Sequence, residues 1–520
     1  MSVDTPAWAR SAVFYQIFPD RFAISARVPK PGPLEPWDAT PTWHGYKGGD
    51  LLGIVERLDE LDDLGVTALY LTPIFASASN HRYHAYDYLQ VDPLLGGDAA
   101  LRELLDAAHR RGMRVVLDGV FNHCGRGFWP FHHVAESGGS SPYAGWFHLD
   151  EGVLNGHRGL YPYPGAAEEA DQHRRLGEGM WAGEASRRTY GYEGWWGLPA
   201  LPKLNTNHPA AREYLLGVAE HWLRFGIDGW RLDVAEEIDG DFWAEFRARC
   251  RAVDPDAYLV AEIWTTKPEW LTGRQFDALM NYPLGEAIIG YAGGPSLDLG
   301  VARSHDAYGS GIFHRDGASL AGEIERLLAV YDPDVVNVML NLIGSHDVPR
   351  VRSVLGGDLA AVRIASALQL TLPGAPCIYY GDEIGLEGHH DPYCRGAFPA
   401  ELPGGAQGEL RAFVRELVHL RRNHRALRDT ETRIVHAEGA ALAILRTDEP
   451  EAFLVALNAG TEAAALRLTL PGVHGDPIPV RLSGWPGAAE LAPAWGADGT
   501  LSLHLPARSG AIVRLHAGRG

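Results

Sequence analysis

The feature that most constrains this chain is a rhythm: eight short apolar runs, most of them closing on polar residues, separated by stretches with helical periodicity. The runs are AVFYQIF (12–18), VTALYLT (66–72), RVVLDGVFNH (114–123), GIDGWRLDV (226–234), YLVAEIW (258–264), FDALMNY (276–282), VVNVMLNLIGSHD (335–347) and PCIYYGDEIG (376–385). Between them lie segments such as LLGIVERLDELDDLG, AALRELLDAAHRRG and AAREYLLGVAEHWLRFG, whose apolar residues recur at helical spacing. Strands that alternate with helices pair in parallel, so eight such units predict an α/β fold, a (β/α)8 TIM barrel. Two segments break the rhythm. Residues 124–204, rich in Gly, Pro, Tyr and Trp, read as an inserted subdomain after strand three. Residues 429–520 alternate as TRIVHAEG, LAILRT, AFLVALN, ALRLTL and AIVRLHA, the pattern of a C-terminal antiparallel β-sandwich domain. The barrel itself is expected in residues 1–123 and 205–428.

A barrel of this kind carries its active site at the C-terminal ends of the strands. Asp118, Asn122 and His123 close the third run, Arg231 and Asp233 the fourth, Glu262 the fifth, and His346 and Asp347 the seventh. In GWRLDVAEE (229–237), alternation puts Arg231 and Asp233 on one face and Trp230, Leu232 and Val234 on the other. A charged pair in a run otherwise dressed for burial is costly unless something uses it. Any one strand-end acid reads as a cap. Stability alone gives no reason to gather Asp233, Glu262 and Asp347 at one mouth with two histidines and an arginine.

Charge narrows the partner. The formal net charge of −20 argues against nucleic acid, whose binding rests on neutralising phosphates with Lys and Arg. A neutral substrate fits better. Cys124, Cys250, Cys377 and Cys394 are irregularly spaced, which indicates neither a disulfide framework nor a zinc knuckle. No apolar run approaches ~18 residues, and MSVDTPAWAR lacks the basic start and apolar core of a signal peptide. The expectation is a cytoplasmic protein with no membrane partner.

DGVFNH (118–123), GWRLDVAEE (229–237), AEIW (261–264) and LIGSHD (342–347) resemble the four ordered sequence regions of the α-amylase superfamily, glycoside hydrolase family 13. LPKLN (201–205) is similar to a fifth region found in its cyclomaltodextrinase, neopullulanase and maltogenic amylase branch. The likeness continues through FYQIFPDRF, QFDALMNYP and CIYYGDEIG, over about residues 8 to 430. The resemblance implies that Asp233 is the nucleophile, Glu262 the general acid and base, and Asp347 a third carboxylate that binds sugar hydroxyls in the transition state. It sets His123, Arg231 and His346 around the same sugar and gives Tyr83 an aromatic face to it. Asp391 and Arg395 of GHHDPYCRG would hold the next sugar on the non-reducing side, where the plain alternative is a pair that binds only itself. Trp264, just past the acid, either stacks on the leaving sugars or serves core packing, as a Trp at a strand end as often does.

The activity implied is retaining hydrolysis of α-1,4 bonds in maltooligosaccharides or cyclodextrins, with α-1,6 cleavage and glycosyl transfer open. An exo-acting α-glucosidase is the alternative within the enzyme class, and a non-catalytic glucan-binding protein the alternative outside it. Retention needs one ionised and one protonated carboxylate ~5–5.5 Å apart. On the sequence, Arg231 keeps Asp233 ionised, while Asp233 and Asp347 hold a proton on Glu262. His123 and His346 can bond hydroxyls that shift as the sugar ring flattens.

The chain departs from this branch in two places. The first barrel strand begins within about a dozen residues, so the dimerising N-terminal β-sandwich of the branch is expected to be absent and the protein a monomer or weak oligomer. Glu236 stands where the branch usually has Asn, on the leaving-group side. Calcium occurs in parts of the superfamily, but the loop AISARVPKPGPLEPWDATP lacks the Asp- and Asn-rich character of the calcium-bearing version. His132–His133 and His389–His390 have no carboxylate at ligand spacing, so no cofactor or metal is expected.

Overall fold

The computed structural model describes residues 3–304 and 309–518. Its centre is a ring of parallel strands: β1 (Phe14–Ile17), β2 (Ala68–Leu71), β3 (Arg114–Gly119), β4 (Gly229–Leu232), β5 (Tyr258–Ala261), β6 (Ala278–Leu279), β7 (Leu340–Leu342) and β8 (Ala375–Tyr379). They pair in sequence order, and β8 returns to β1. A parallel bridge between Met280 and Leu340 closes the ring, supported by the Asn281 N–H donating to the Leu340 carbonyl at 2.8 Å. Closure leaves the barrel without an edge.

Most strands are shorter than the apolar runs that encode them. FDALMNY supplies only Ala278–Leu279, because the helix Tyr282–Gly293 starts at its end with Pro283 in the first turn. Val335 and Val336 of the seventh run lie in a helical turn, Pro333–Val336, capped by Asp332. Proline suits a helix start, where its missing N–H costs nothing.

The helix Pro209–Phe225 shows how the sequence delivers β4. It opens on Pro209, buries Leu215, Leu216, Ala219, Trp222 and Leu223, and stops at Gly226, whose φ of 112° favours glycine. Each of those large side chains contributes ~1.5–3 kcal/mol by burial. On β4 itself, Trp230 packs against Phe75 and Phe121 outside the barrel, at 6.3 and 5.7 Å between ring centroids. Alternation then turns Arg231 inward.

Between β3 and β4 the chain makes a long excursion through the helices Trp129–Ser137, Ala166–Gly177 and Ala182–Tyr190. It returns antiparallel to the end of β3. His123 and Lys203 form a bridge, and the Leu204 N–H donates to the Asn122 carbonyl at 2.9 Å. From Glu431 to Ala517 the strands form antiparallel sheets of five and three, sharing a core that includes Leu445, Leu454, Leu466, Leu503 and Val513.

Candidate active site

Arg231 is fully buried at the end of β4, and its guanidinium meets three carboxylates. Nη1 donates to Asp118 Oδ1 at 2.7 Å and to Asp233 Oδ1 at 2.8 Å, while Nη2 lies 2.9 Å from Glu262 Oε2. Strand register makes this possible. Asp118 on β3 sits beside Arg231, and Glu262 follows Ala261, the partner of Leu232. A planar guanidinium can serve carboxylates on separate nitrogens, which the point charge of lysine does less well. Asp118 also accepts from the hydroxyls of Tyr70 and Tyr83, each at 2.9 Å.

Glu262 is oriented from two more directions. Its Oε2 accepts from the Val234 N–H at 3.0 Å and its Oε1 from Trp264 Nε1 at 3.1 Å. Val234 reaches it from a left-handed conformation, φ 47° and ψ 45°, that β-branched residues rarely adopt. Trp264, expected to stack on leaving sugars, carries Tyr282 against one face, with centroids 3.6 Å apart and planes at 11°. Its indole N–H orients the acid, a role the sequence did not suggest.

On the other wall, the His346 ring lies parallel to Tyr83, and its Nε2 meets the Tyr83 hydroxyl. Nδ1 pairs with the Gln16 side chain at 2.8 Å, and Nε2 stands 3.2 Å from Asp347 Oδ2. Arg395 donates to the His346 carbonyl at 2.8 Å, reaches Asp347 Oδ1 at 3.4 Å and pairs with Asp391 at 2.9 Å. Asp391 and Arg395 therefore do bind each other, and both also line a cavity with Asp233 and Glu262.

Asp233, Glu262 and Asp347 open onto a cavity of about 640 Å³, lined also by Tyr83, His123, Trp264, Asp391 and Arg395. Arg231 and His346 are expected on its wall but lie behind it, both 0% exposed. Their polar atoms are spent on Asp118, Asp233, Gln16 and Tyr83, so they act through those neighbours. His123 Nε2 and Asp233 Oδ2 have no protein hydrogen-bond partner among the described residues. Glu236 lines the same cavity and pairs with Lys267 at 3.3 Å, and Glu237 pairs with Lys203 at 2.7 Å.

The electrostatics differ from the expectation. Asp118, Asp233, Glu262, Asp347 and Asp391 share two guanidiniums, those of Arg231 and Arg395. Burial, followed by the Glu262 charge, pushes Asp347 up to about 7. Asp233 is also raised: burial dominates, with Glu262 and Asp118 adding to it against the pull of Arg231. Divided among three acids, Arg231 does not offset the burial of Asp118 or Asp233. Burial raises Asp118, Asp233 and Asp347 together, so their positive neighbours do not hold these three in the ordinary carboxylate range. His123 is lowered to about 3 and His346 well below its usual value, burial being the main cause in both. Neutral imidazoles can donate to one hydroxyl and accept from another.

Three contributors escaped the sequence reading. Asp118 appears there only as a strand-end acid without a role, which its register with Arg231 supplies. Tyr70 in the run VTALYLT carries no distinguishing mark. Trp195, inside the Gly- and Pro-rich segment, stacks on His123 at 4.7 Å and 7°.

After β1, the buried Asp50 is already engaged by a cation and by backbone amides. Asp50 Oδ2 accepts from Lys30 Nζ at 2.9 Å and from the Ser25 N–H at 3.0 Å, and Oδ1 accepts from the Gly53 N–H at 2.7 Å. An ammonium already neutralises the buried acid. Among the described residues, no group of three or more His, Cys, Asp or Glu is placed to hold a metal. His133 instead pairs with Ser141 at 3.0 Å. No helix among them is long and apolar enough to cross a membrane.

Comparison with known proteins agrees with this geometry. The profile of the α-amylase catalytic domain matches residues 16–432. A cyclomaltodextrinase from Geobacillus thermopakistaniensis is 40% identical over 474 residues, covering 89% of this chain and 71% of the relative. Neopullulanase 2 from Thermoactinomyces vulgaris is 38% identical over 91% of this chain and 73% of its own length. Among solved structures, a debranching enzyme from Nostoc punctiforme superimposes with a TM-score of 0.83 at 41% identity, covering 99% of this chain and 100% of the other.

Proposed function

The chain belongs to the α-amylase family, and from that membership and the geometry we propose that it hydrolyses α-glucosidic bonds of maltooligosaccharides and cyclodextrins with retention, cleaving α-1,6 as well as α-1,4 linkages. The observation that carries this reading is the sharing of Arg231 between Asp233 and Glu262. One guanidinium holding both carboxyls favours the narrow spacing of a retaining pair, ~5–5.5 Å, over the wider ~6.5–9.5 Å of an inverting one.

Asp233 attacks the anomeric carbon, forming a C–O bond as the glycosidic C–O bond breaks, and Glu262 gives its proton to the leaving oxygen. Water then loses a proton to Glu262 and delivers hydroxide to the same carbon, releasing Asp233. Two displacements restore the α-configuration. Asp347 and neutral His123 hold hydroxyls of the reacting sugar, and Tyr83 offers its ring. Asp391 and Arg395 hold the next sugar on the non-reducing side.

Names of relatives support both linkage types, since they include a cyclomaltodextrinase, a neopullulanase and a debranching enzyme. The Lys30–Asp50 contact supports work without calcium. Four buried free cysteines support a reducing, cytoplasmic setting.

The test is product analysis on β-cyclodextrin, pullulan, maltotriose and starch, with proton NMR of the first product. Glucan cleavage releasing the α-anomer is expected. The β-anomer, or no cleavage of any of the four, would overturn the proposal.

A further inference from the structure

We propose that Trp196 and Trp43 are sugar-stacking platforms at the rim of the cavity, so that the site grips glucan chains reaching well beyond the sugars at Asp233 and Asp391. This deepens the hydrolase reading and rests on it for the identity of the chain that is bound.

His123 stacks on Trp195, and Trp195 stacks on Trp196 at 4.8 Å and 24°. The ladder starts at an imidazole 1% exposed and ends at an indole 51% exposed. Trp196 is held out by its backbone, at φ 52° and ψ 21°, a left-handed conformation that bulky residues rarely take. Trp43 comes from a different loop and is 59% exposed. Its carbonyl accepts from Asn80 Nδ2 at 3.0 Å, which ties it to the segment carrying His81 and Tyr83. Both indoles line the same cavity as Asp233, Glu262 and Asp347.

Burial of an indole's apolar area is favourable, so two indoles left half in water on the wall of one cavity keep that area available to a ligand. A pyranose presents a face of C–H bonds that matches a flat ring. Trp181 sets the contrast: it is 58% exposed but is not part of that lining, so exposure alone does not mark a platform.

Binding is measured by tryptophan fluorescence in a Glu262→Gln background, where substrate persists, with maltotriose and maltoheptaose as probes. Trp196→Ala and Trp43→Ala should each weaken maltoheptaose about tenfold, the size of one aromatic contact, and maltotriose much less. Trp196→Phe should restore most of the loss, and Trp181→Ala should leave the ratio of the two affinities in place. In the active protein, kcat/KM for maltoheptaose relative to maltotriose should fall in parallel. The proposal is overturned if neither platform variant moves the ratio, if both sugars weaken equally, or if Trp181→Ala moves it as much. Because the binding arm needs no turnover, it separates failure of the platforms from failure of the hydrolase reading.

Discussion

The Val234 N–H donates to Glu262 Oε2 at 3.0 Å from a left-handed turn directly after Asp233. The end of β4 therefore sets both acids: Asp233 through the Arg231 guanidinium and Glu262 through the next backbone amide. A left-handed conformation at a non-glycine residue costs ~1–3 kcal/mol and persists where its surroundings impose it. Here the imposed feature is the aim of one N–H.

Val234→Gly tests that link. Glycine takes this conformation freely, so relief of ~1–3 kcal/mol of strain opposes ~0.5–1 kcal/mol of added chain entropy. Some packing of a half-buried side chain is also lost. Stability should stay within about 1 kcal/mol of the parent while kcat falls about tenfold as the turn loosens. A thermal melt showing a loss well beyond 2 kcal/mol would mean the turn is not strained.

Asp233→Asn removes the proposed nucleophile and keeps the volume. Turnover should drop more than about 10³-fold, ~4 kcal/mol in the barrier, with an unchanged circular dichroism spectrum. A variant turning over maltotriose at near-parental rate would sink the assignment.

Much of this was legible in the sequence because the barrel ties chemistry to position. Alternation in GWRL tells which residues face inward, and strand order tells which strand ends meet. Sequence cannot say how one cation is divided. Arg231 looks like the private partner of Asp233 two residues away, whereas Asp118 and Glu262 reach it across neighbouring strands, from 113 and 31 positions along the chain. That division is why Asp118 and Asp233 stay raised although a cation touches both. Trp195 and Trp196 lie in a segment without periodicity, where no pattern predicts which ring faces the site.

Asp391→Ala separates a sugar contact from a structural ion pair. If Asp391 binds the second sugar, loss of a hydrogen bond to a charged group, ~1.5–3 kcal/mol, lowers kcat/KM for maltotriose roughly 10- to 150-fold. A nitrophenyl α-glucoside, with one sugar, should lose far less. Arg395 still holds the His346 carbonyl and Asp347, so the loop keeps its anchor. Equal losses on the two substrates would leave only the ion pair standing.

If Lys30 takes the place of a cation beside Asp50, chelation should leave the fold intact. With Lys30 against Asp50, excess EDTA is expected to leave the melting temperature within about one degree. Lys30→Ala strands a buried carboxylate and should cost ~3–5 kcal/mol. A large destabilisation of the parent by EDTA, reversed by calcium, would refute a lysine-neutralised site.

Asp347 gives the stability of the fold a pH dependence of known sign. Its carboxyl rises from the ordinary 3.8 to about 7 on folding, chiefly through burial. Below about pH 4 it is protonated in both states and costs nothing. As pH climbs toward 7 the unfolded chain releases the proton first, so the folded state loses stability, by up to ~4 kcal/mol at ~1.4 kcal/mol per unit. Asp347→Asn removes the titration but also the charge that faces Arg395 and His346. After that discount, the variant should match the parent near pH 4 and exceed it by ~1–3 kcal/mol at pH 8, while losing most turnover. Urea melts of both proteins at pH 4, 6 and 8 read this directly. A stability gap that fails to widen with pH would show that Asp347 is ionised at little cost in the folded site, and that another acid of the cluster carries the proton.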